Sequence, residues 1–282
     1  MGPSIDNIDF NGIPALRLVT RAGARAVVSL FGGQVLSWAP AQGEERLYLS
    51  DMAVFDGQTP IRGGVPVCFP QFAGQGPLPK HGFARKREWS VAEQRTGDDF
   101  ALVTLCLGDD EETRAIWPQG FALELSVIVE ESRLDMELDV QNTGDTPFDF
   151  TAALHTYLRV REVEESRLEG LYGLSYSDTA DGAKIKRESG EAVLVEDETD
   201  RIYHNSVRPL LLREYDRSLG INSEGFPDVV VWNPWEERCA ELADMPAAGF
   251  RRMLCVEAAA ARQPIHLAPG QRWWGRQTLI AL

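Results

Sequence analysis

The sequence predicts an all-β protein, a large antiparallel β-sandwich, and two observations support this fold class. Apolar and acidic residues alternate without interruption in LDMELDV (residues 134–140), which is typical of a strand with one buried face. Many other short apolar runs are separated by Gly, Pro, Asn and Asp. A parallel sheet would need long amphipathic helices between its strands, and the sequence has no such pattern. Short strands joined by turns therefore favour a sandwich.

The predicted strands run along most of the chain, and the predicted helices are short. Residues 121–129 lie close enough to residues 134–140 to form a hairpin with them, and NTGD (142–145) ends the second strand in a turn. The other strands are predicted at residues 15–20, 26–31, 34–39, 100–107, 148–160, 229–233, 252–257 and 276–282. Helical turns are predicted only at residues 111–115 and 242–247. Because no linker, low-complexity stretch or repeat divides the chain, residues 1–282 are predicted to form a single domain.

Composition and charge narrow the class of protein. A hydrophobic content of 44% and a charged content of 25% are typical of a soluble globular protein. The formal net charge of −15 argues against a nucleic-acid-binding face. No apolar run is long enough to span a membrane and the N-terminus lacks a secretory pattern, so we expect a cytoplasmic protein without a membrane partner. The four widely spaced cysteines are expected to be reduced thiols.

The segment IRGGVPVCFPQFAGQGPLPKHGFARKREW (residues 61–89) is unusually basic for so acidic a chain. It gathers Arg62, Lys80 and Arg85 around His81, in a stretch too rich in Gly and Pro for regular structure. Because Gly82 permits close backbone approach, His81 is a candidate ligand contact. A surface loop with incidental cations is an equally good interpretation of these residues alone.

A second histidine follows a strand-like run. In FDFTAALHTY (residues 148–157), period two places Thr151, His155 and Tyr157 on one polar face. If this face lines a cleft, His155 is a candidate general acid or base, since imidazole titrates near neutral pH. A partly exposed strand histidine without a chemical role is the alternative.

Two carboxylates complete the candidates. Glu257 closes an apolar run, and burial there would raise its pKa towards that of a useful base, although a solvated glutamate at a strand end is the better interpretation of this residue alone. Asp200 follows the acidic stretch VEDETD and gives a weak signal by itself. His204 and His266 are assigned to structure.

Several classes of site have no support in the sequence. No histidine pair has metal-ligand spacing, so no metal is expected, and no phosphate-binding glycine loop or nucleophile elbow is present. The remaining candidates suit acid/base work on a small anionic substrate.

Six motifs taken together resemble one family. They are, in chain order, RGGVPVCFP (62–70), LPKHGFAR (78–85), LHTYL (154–158), TDRIY (199–203), VVWNPW (230–235) and LCVEAA (254–259). Their order and content are similar to the hexose-6-phosphate mutarotases, or glucose-6-phosphate 1-epimerases, of the aldose 1-epimerase superfamily. One departure is that the family often has Trp after CFP, where this chain has Gln71 before Phe72.

The resemblance implies a fold and an activity. The fold is the galactose mutarotase-like supersandwich with an open sugar-binding cleft, and the activity is interconversion of the α and β anomers of a hexose 6-phosphate, above all glucose 6-phosphate, without a cofactor. We expect a monomer whose partner is the sugar phosphate alone. A mutarotase for a neutral aldose and a carbohydrate-binding sandwich without catalysis are the two alternatives.

The resemblance also implies roles for individual residues. His155 would be the general acid and Glu257 the general base. The residues expected to contact substrate are His81 and Asp200 for the sugar, and Arg62, Arg85 and Lys80 for the phosphate.

Overall fold

The computed structural model describes residues 2–282, of which strands form 49% and helices 8%, so the predicted all-β class is confirmed. The strands are β1 (Ser4–Phe10), β2 (Ile13–Val19), β3 (Arg25–Ser29), β4 (Val35–Ala39), β5 (Val67–Cys68), β6 (Ser90–Thr96), β7 (Ala101–Gly108), β8 (Phe121–Val129), β9 (Arg133–Asn142), β10 (Phe148–Leu154), β11 (Tyr157–Arg159), β12 (Arg167–Glu169), β13 (Ser175–Asp178), β14 (Lys184–Arg187), β15 (Ala192–Val193), β16 (Thr199–Tyr203), β17 (Leu210–Arg213), β18 (Ser218–Glu224), β19 (Asp228–Asn233), β20 (Met253–Leu267) and β21 (Arg272–Ala281). The helices are α1 (Glu111–Ile116) and α2 (Trp235–Ala240), with 3₁₀ turns at Ala84–Lys86, Val163–Glu165 and Gly249–Arg252.

The strands form three antiparallel sheets. Strands β1 to β4 make a small sheet in chain order. The sheet that carries the candidate site, here called the site sheet, has the order β14-β13-β16-β19-β20-β10-β5, with β11 paired to β20. The back sheet has the order β15-β12-β17-β18-β21-β9-β8-β7-β6. This arrangement confirms the predicted large antiparallel sandwich.

Alternation along the site sheet gives its two faces different environments. Val229 and Val231 of β19, and Val256 of β20, belong to the main core, which also includes the apolar face of β9. Val230 and Glu257, next to them in the chain, instead line a cavity on the opposite face. Successive strand residues point to opposite faces, so one sheet both closes the core and supports a pocket.

The predicted hairpin of β8 and β9 is confirmed, with one exception in its pattern. Leu134 and Met136 are buried as predicted, but Asp135, on the face predicted to be polar, is buried as well. Its carboxylate lies 2.8 Å from Arg133 Nε and accepts a hydrogen bond from Thr278 Oγ1. Burial of this acid is tolerated because both partners satisfy its oxygens.

Two of the differences from the predicted strands involve the segments that carry His155 and Glu257. The single strand expected at residues 148–160 is two strands, β10 and β11, and His155 and Thr156 form the break between them. Strand β20 continues ten residues past Glu257, whereas the prediction ended it there. Alanine disfavours strands in general, but residues 258–261 are buried, where small side chains allow close packing.

One helix prediction is confirmed and one is wrong. Helix α1 lies where it was predicted, and Asp110 caps its N-terminus by accepting a hydrogen bond from the Thr113 N–H. Residues 242–247 form turns instead of the predicted helix, and α2 lies upstream of them. Pro246 falls within the predicted segment and has no N–H to donate. Among residues 2–282, no helix has the length and apolar content needed to cross a membrane.

Candidate active site

A cavity of about 380 Å³ opens on the outward face of the site sheet. Strands β16, β19 and β20 and the break between β10 and β11 form its floor, while residues 72–81 and helix α2 form parts of its wall. Six of the seven residues singled out from the sequence line it: Arg62, Lys80, His81, His155, Asp200 and Glu257. The sequence positions of these residues span most of the chain, and the sheet brings them to one place.

His155 and Glu257 form a buried pair at the floor of the cavity. His155 follows Leu154, which lies opposite Ala258 in the β10–β20 ladder, so the two side chains meet across adjacent strands. The His155 Nδ1 and Glu257 Oε1 atoms are 3.2 Å apart, and the residues are 8% and 2% exposed. Neither His155 Nδ1 nor Glu257 Oε2 has a hydrogen-bond partner among residues 2–282. Two unpartnered polar atoms in a buried place point to a site built for a ligand.

Burial shifts the pKa values of this pair in opposite directions. It raises the pKa of Glu257 well above its ordinary value, and the nearby Asp200 carboxylate adds to the effect. It lowers the pKa of His155 well below its ordinary value, with His81 and Arg85 as further causes. Both shifts favour neutral forms, so one proton is held by the pair over an extended pH range.

Aromatic rings hold His155 in place. The Tyr157 ring stacks on the imidazole with centroids 4.8 Å apart, and the Trp232 ring meets it edge-on at 6.0 Å. The His81 ring contacts it at 5.2 Å. This packing restricts the imidazole to one orientation, in which Nδ1 faces Glu257 and Nε2 is left to meet a ligand.

His81 is fixed in a single tautomer by its neighbours. Its Nδ1 accepts a hydrogen bond from the Ala73 N–H at 3.2 Å and lies 3.2 Å from Cys68 Sγ. Burial, together with Arg85, Lys80 and Arg62, lowers the pKa of His81 to about 3. The ring is therefore neutral at physiological pH with its proton on Nε2, which makes it a hydrogen-bond donor.

Glycines shape the backbone beside these side chains. Gly82 has φ +68°, and a Cβ there would lie 2.1 Å from the Phe69 carbonyl oxygen. At Gly63, a Cβ would lie 2.4 Å from the Tyr48 carbonyl oxygen. No other residue fits either position without moving the backbone, and the neighbours Arg62 and His81 are placed by it.

Arg62 and Asp200 both line the cavity, but only Arg62 has a salt-bridge partner among residues 2–282. Arg62 Nε lies 3.1 Å from Asp244 Oδ1, and its Nη1 donates to Tyr157 Oη at 3.0 Å. Asp200 forms no salt bridge among residues 2–282, and burial, with the Glu198 charge, raises its pKa. Arg62 is already held by partners, while Asp200 keeps acceptor capacity for a ligand.

The cations that line the cavity are not the same set that the sequence predicted. Arg85 does not line the cavity, because its guanidinium turns to donate to the Lys80 carbonyl at 2.9 Å. Arg238 of α2 does line it, 3.6 Å from Glu198, and sequence reasoning missed this residue. Partial burial, Arg238 and Arg85 lower the pKa of Lys80. Lys80 forms no salt bridge with any described residue, so it is available to an anion.

Gln71, the departure from the family pattern, lies outside the cavity wall. Its amide donates to the Ala73 and Leu78 carbonyls at 3.1 and 3.0 Å, and its Oε1 accepts from the Leu78 N–H. These three bonds tie together the glycine-rich loop that leads to Lys80. Phe72, one position later, lines the cavity together with Tyr157 and Trp232.

The remaining histidines lie outside the cavity. His204 is hydrogen-bonded to Ser177 Oγ at 2.8 Å, and the exposed His266 lies 2.8 Å from Asp149. A larger depression of about 570 Å³ lies elsewhere on the surface, where Arg21 meets carboxylates of two turns and no histidine. Its lining residues include no counterpart to the buried pair of His155 and Glu257.

Comparison with known proteins decides the family. A sequence profile of the Aldose 1-epimerase family matches residues 14–279. The chain belongs to the aldose 1-epimerase family. The family resemblance drawn from the six motifs is therefore confirmed.

Relatives within the family are similar over most of the chain. A Cenchrus ciliaris protein named "Putative glucose-6-phosphate 1-epimerase" is 38% identical over 280 residues, which cover 95% of this chain and 85% of that protein. An Escherichia coli protein of the same name is 34% identical over 269 residues, 91% of this chain and 90% of its own. The crystal structure titled as a putative mutarotase from Salmonella typhimurium superposes with a TM-score of 0.91 at 28% identity, covering 98% of this chain and 93% of that one.

Proposed function

We propose that this protein is an isomerase that interconverts the α and β anomers of a hexose 6-phosphate, with glucose 6-phosphate as the preferred substrate. The observation that carries the proposal is the buried pair of His155 and Glu257, whose unpartnered polar atoms lie at a cavity with cations on its wall. The family assignment and the names of its glucose-6-phosphate 1-epimerase relatives support the same reaction.

The proposed reaction needs a base beside the C1 hydroxyl and an acid beside the ring oxygen, two atoms that are both bonded to the anomeric carbon. In the tautomer that reacts, the single proton of the pair has moved from Glu257 to His155. Glu257 then takes the proton of the C1 hydroxyl while His155, as imidazolium, gives a proton to the ring oxygen, and the ring opens to the aldehyde. Rotation about C1–C2 presents the other carbonyl face. On closure Glu257 returns its proton to the carbonyl oxygen and His155 recovers the proton of the C5 hydroxyl. The pair holds one proton in total at every stage, so no exchange with solvent is required.

The other cavity residues would position the sugar. His81 donates from Nε2 to a sugar oxygen, and Asp200 accepts from ring hydroxyls. Arg62 and Lys80 bind the phosphate with Arg238 beside them, whereas Arg85 acts through the Lys80 backbone that it contacts. The phosphate is remote from C1, so these cations contribute binding and orientation rather than bond chemistry.

NMR exchange between the anomers of glucose 6-phosphate tests the proposed function. The catalysed rate is compared with the uncatalysed rate at the same pH, with galactose and glucose as neutral controls. Exchange no faster than in buffer for all three sugars would favour the carbohydrate-binding alternative. Equal acceleration of all three would favour a mutarotase for neutral aldoses.

Neutralising the available cations is expected to separate phosphorylated from neutral substrates. Lys80→Gln and Arg238→Gln should each raise KM for glucose 6-phosphate by roughly 10- to 100-fold, the usual worth of one charge-assisted hydrogen bond. The KM for glucose should change little. Exchange spectroscopy over a substrate series gives both values. Lys86→Gln, an exposed lysine outside the cavity, is the matched control. Equal losses on both sugars would contradict the phosphate assignment.

The pH profile of exchange is expected to have a plateau over the pH range in which the pair of His155 and Glu257 holds one proton. Adding a second proton to the pair must protonate His155, whose pKa is lowered, so the acid limb lies well below pH 6.5. Removing the last proton must ionise Glu257, whose pKa is raised, so the alkaline limb lies well above pH 4.5. Rates corrected for buffer catalysis are measured in chelator-treated solutions. Glucose serves as control for the phosphate's own ionisation near pH 6. An acid limb at the ordinary histidine pKa for both sugars would contradict the buried pair as catalyst.

A further inference from the structure

A third group with metal-binding chemistry lies beside the buried pair. Cys255 precedes Glu257 by two residues on β20, so both side chains leave the same face of the strand. Tyr157, the stacking partner of His155, lies directly opposite Cys255 in the ladder. The potential ligand atoms of His155, Cys255 and Glu257 all lie within 4.8 Å of one another, and all three residues are buried. The proton transfers proposed above make no use of the thiol.

Imidazole, thiolate and carboxylate are ligands of zinc in proteins. In a tetrahedral site, Zn–S bonds of about 2.3 Å and Zn–N and Zn–O bonds of about 2.0–2.2 Å place ligand atoms roughly 3.3–3.6 Å apart. The 3.2 Å between His155 Nδ1 and Glu257 Oε1 already matches this spacing, and Cys255 needs a shift on the order of 1 Å. The buried Glu257 Oε2 atom, which has no hydrogen-bond partner among residues 2–282, is a second sign that the place can accept a ligand.

We propose that His155, Cys255 and Glu257 form an inhibitory site for a thiophilic divalent cation, foremost Zn²⁺, with its fourth position open to the substrate cavity. Binding releases the Cys255 thiol proton and the proton shared by His155 and Glu257. Two ligand charges then balance the cation, and the buried complex is neutral. Mg²⁺ and Ca²⁺ favour oxygen-only sites and are excluded by the sulfur and nitrogen ligands.

The cation acts as an inhibitor because it occupies the groups that the proposed reaction needs for proton transfer. This half of the inference rests on the proposed function, whereas metal binding itself does not. Cys68, a second buried thiol near the pair, is a poorer candidate. Its neighbour His81 already uses Nδ1 to accept the Ala73 N–H, and no carboxylate among residues 2–282 completes a group of three ligands there.

Spectroscopic titration with Co²⁺, a visible probe for tetrahedral thiolate sites, tests binding without relying on activity. The chelator-treated protein is expected to bind one Co²⁺ with a thiolate charge-transfer band, and Zn²⁺ is expected to displace it. Cys255→Ala should lose the band and weaken binding by roughly 100-fold or more, since even losing a group one shell out costs about 10–100-fold. Cys255→Ser is the second variant, which fills the same space with a poorer ligand. Cys106→Ala, at the half-buried thiol beside Ser90, is the control for adventitious binding.

Exchange assays supply the second arm. Zn²⁺ should inhibit the parent protein and the Cys106→Ala variant, while the folded Cys255 variants keep their exchange rate in the same Zn²⁺ concentration. Loss of the Co²⁺ band in Cys68→Ala rather than in Cys255→Ala would overturn the assignment. So would equal Zn²⁺ sensitivity of the parent and both Cys255 variants. A protein that binds Co²⁺ through Cys255 but shows no exchange with any sugar would overturn the proposed function and leave the metal site standing.

Discussion

Glu257→Gln is expected to abolish catalysed anomer exchange and, at neutral pH, to make the protein more stable. The amide cannot take the proton of the C1 hydroxyl, and a positioned base contributes on the order of 10²–10⁴ in rate. The same replacement removes a buried ionisable group that has an unpartnered oxygen. Function and stability are therefore expected to move in opposite directions at this residue.

The stability gain has a definite pH dependence. Because burial raises the pKa of Glu257 in the folded state, folding takes up a proton at this site. The free energy of unfolding of the parent protein is therefore highest below the ordinary glutamate pKa. It falls as the pH rises towards the pKa of Glu257 in the folded state. Urea unfolding at several pH values is expected to show the free-energy difference between Glu257→Gln and the parent growing over that range. A variant less stable than the parent at every pH would contradict the burial argument.

A matched control is available on the neighbouring strand. Asp228 of β19 is as buried as Glu257, but its carboxylate accepts hydrogen bonds from the Ala261 and Arg262 N–H groups. Asp228→Asn should therefore lose stability, because a satisfied acceptor is replaced, and should keep its exchange rate. Retention of full exchange activity by Glu257→Gln would refute its role as base.

The parts of the fold that the sequence predicted are those in which local pattern and tertiary burial agree. Strands β8 and β9 alternate cleanly because one face meets the core, and the period-two pattern reports this directly. The same reasoning does not predict the second half of strand β20. Residues 258–261 are alanines, and whether alanines form a strand depends on the side chains that pack against them. Helix α2 was missed because its six residues make fewer than two helical turns, too few for an amphipathic pattern to repeat.

The site was only partly predictable for the same physical reason. Residue chemistry and the family resemblance identified His155 and Glu257, but their approach to 3.2 Å depends on the ladder between β10 and β20. Arg238 carries no sequence signal, since an exposed arginine on a short helix is common. The direction of the Arg85 side chain was equally beyond the sequence, because the hydrogen bond to the Lys80 carbonyl decides it.

The proposed catalytic groups and the proposed phosphate-binding groups lie on different kinds of backbone. Glu257 lies on the central strand β20 of the site sheet and His155 directly follows β10, whereas Lys80 and Arg238 lie outside the strands. The second group depends on hydrogen bonds that fix irregular backbone. Gln71 does this for the loop before Lys80, and Asn233 does it for the segment that contains Arg238.

Asn233→Ala is expected to cost about 3 kcal/mol of stability, roughly 1 kcal/mol for each of three hydrogen bonds lost. The Asn233 side chain is fully buried, donates to the Phe250 and Met253 carbonyls at 2.8 Å, and accepts from the Trp235 N–H at 2.8 Å. These bonds join both ends of the segment that places Arg238 on the cavity wall. Displacement of this segment, and of Arg238 with it, should lower kcat/KM for glucose 6-phosphate by roughly 10- to 100-fold in protein that remains folded.

Asn142 provides an unusually close control for this experiment. It is also fully buried, donates to two carbonyls, Thr146 and Leu267, at 2.9 Å, and accepts from the Gly144 N–H at 3.0 Å, but it ends β9 away from the cavity. Asn142→Ala should lose about the same 3 kcal/mol by urea unfolding and keep its kcat/KM. If both variants lost activity in proportion to stability, the segment after β19 would have no specific part in substrate binding. If only Asn233→Ala lost it, the contribution of that segment would be separated from the stability of the fold.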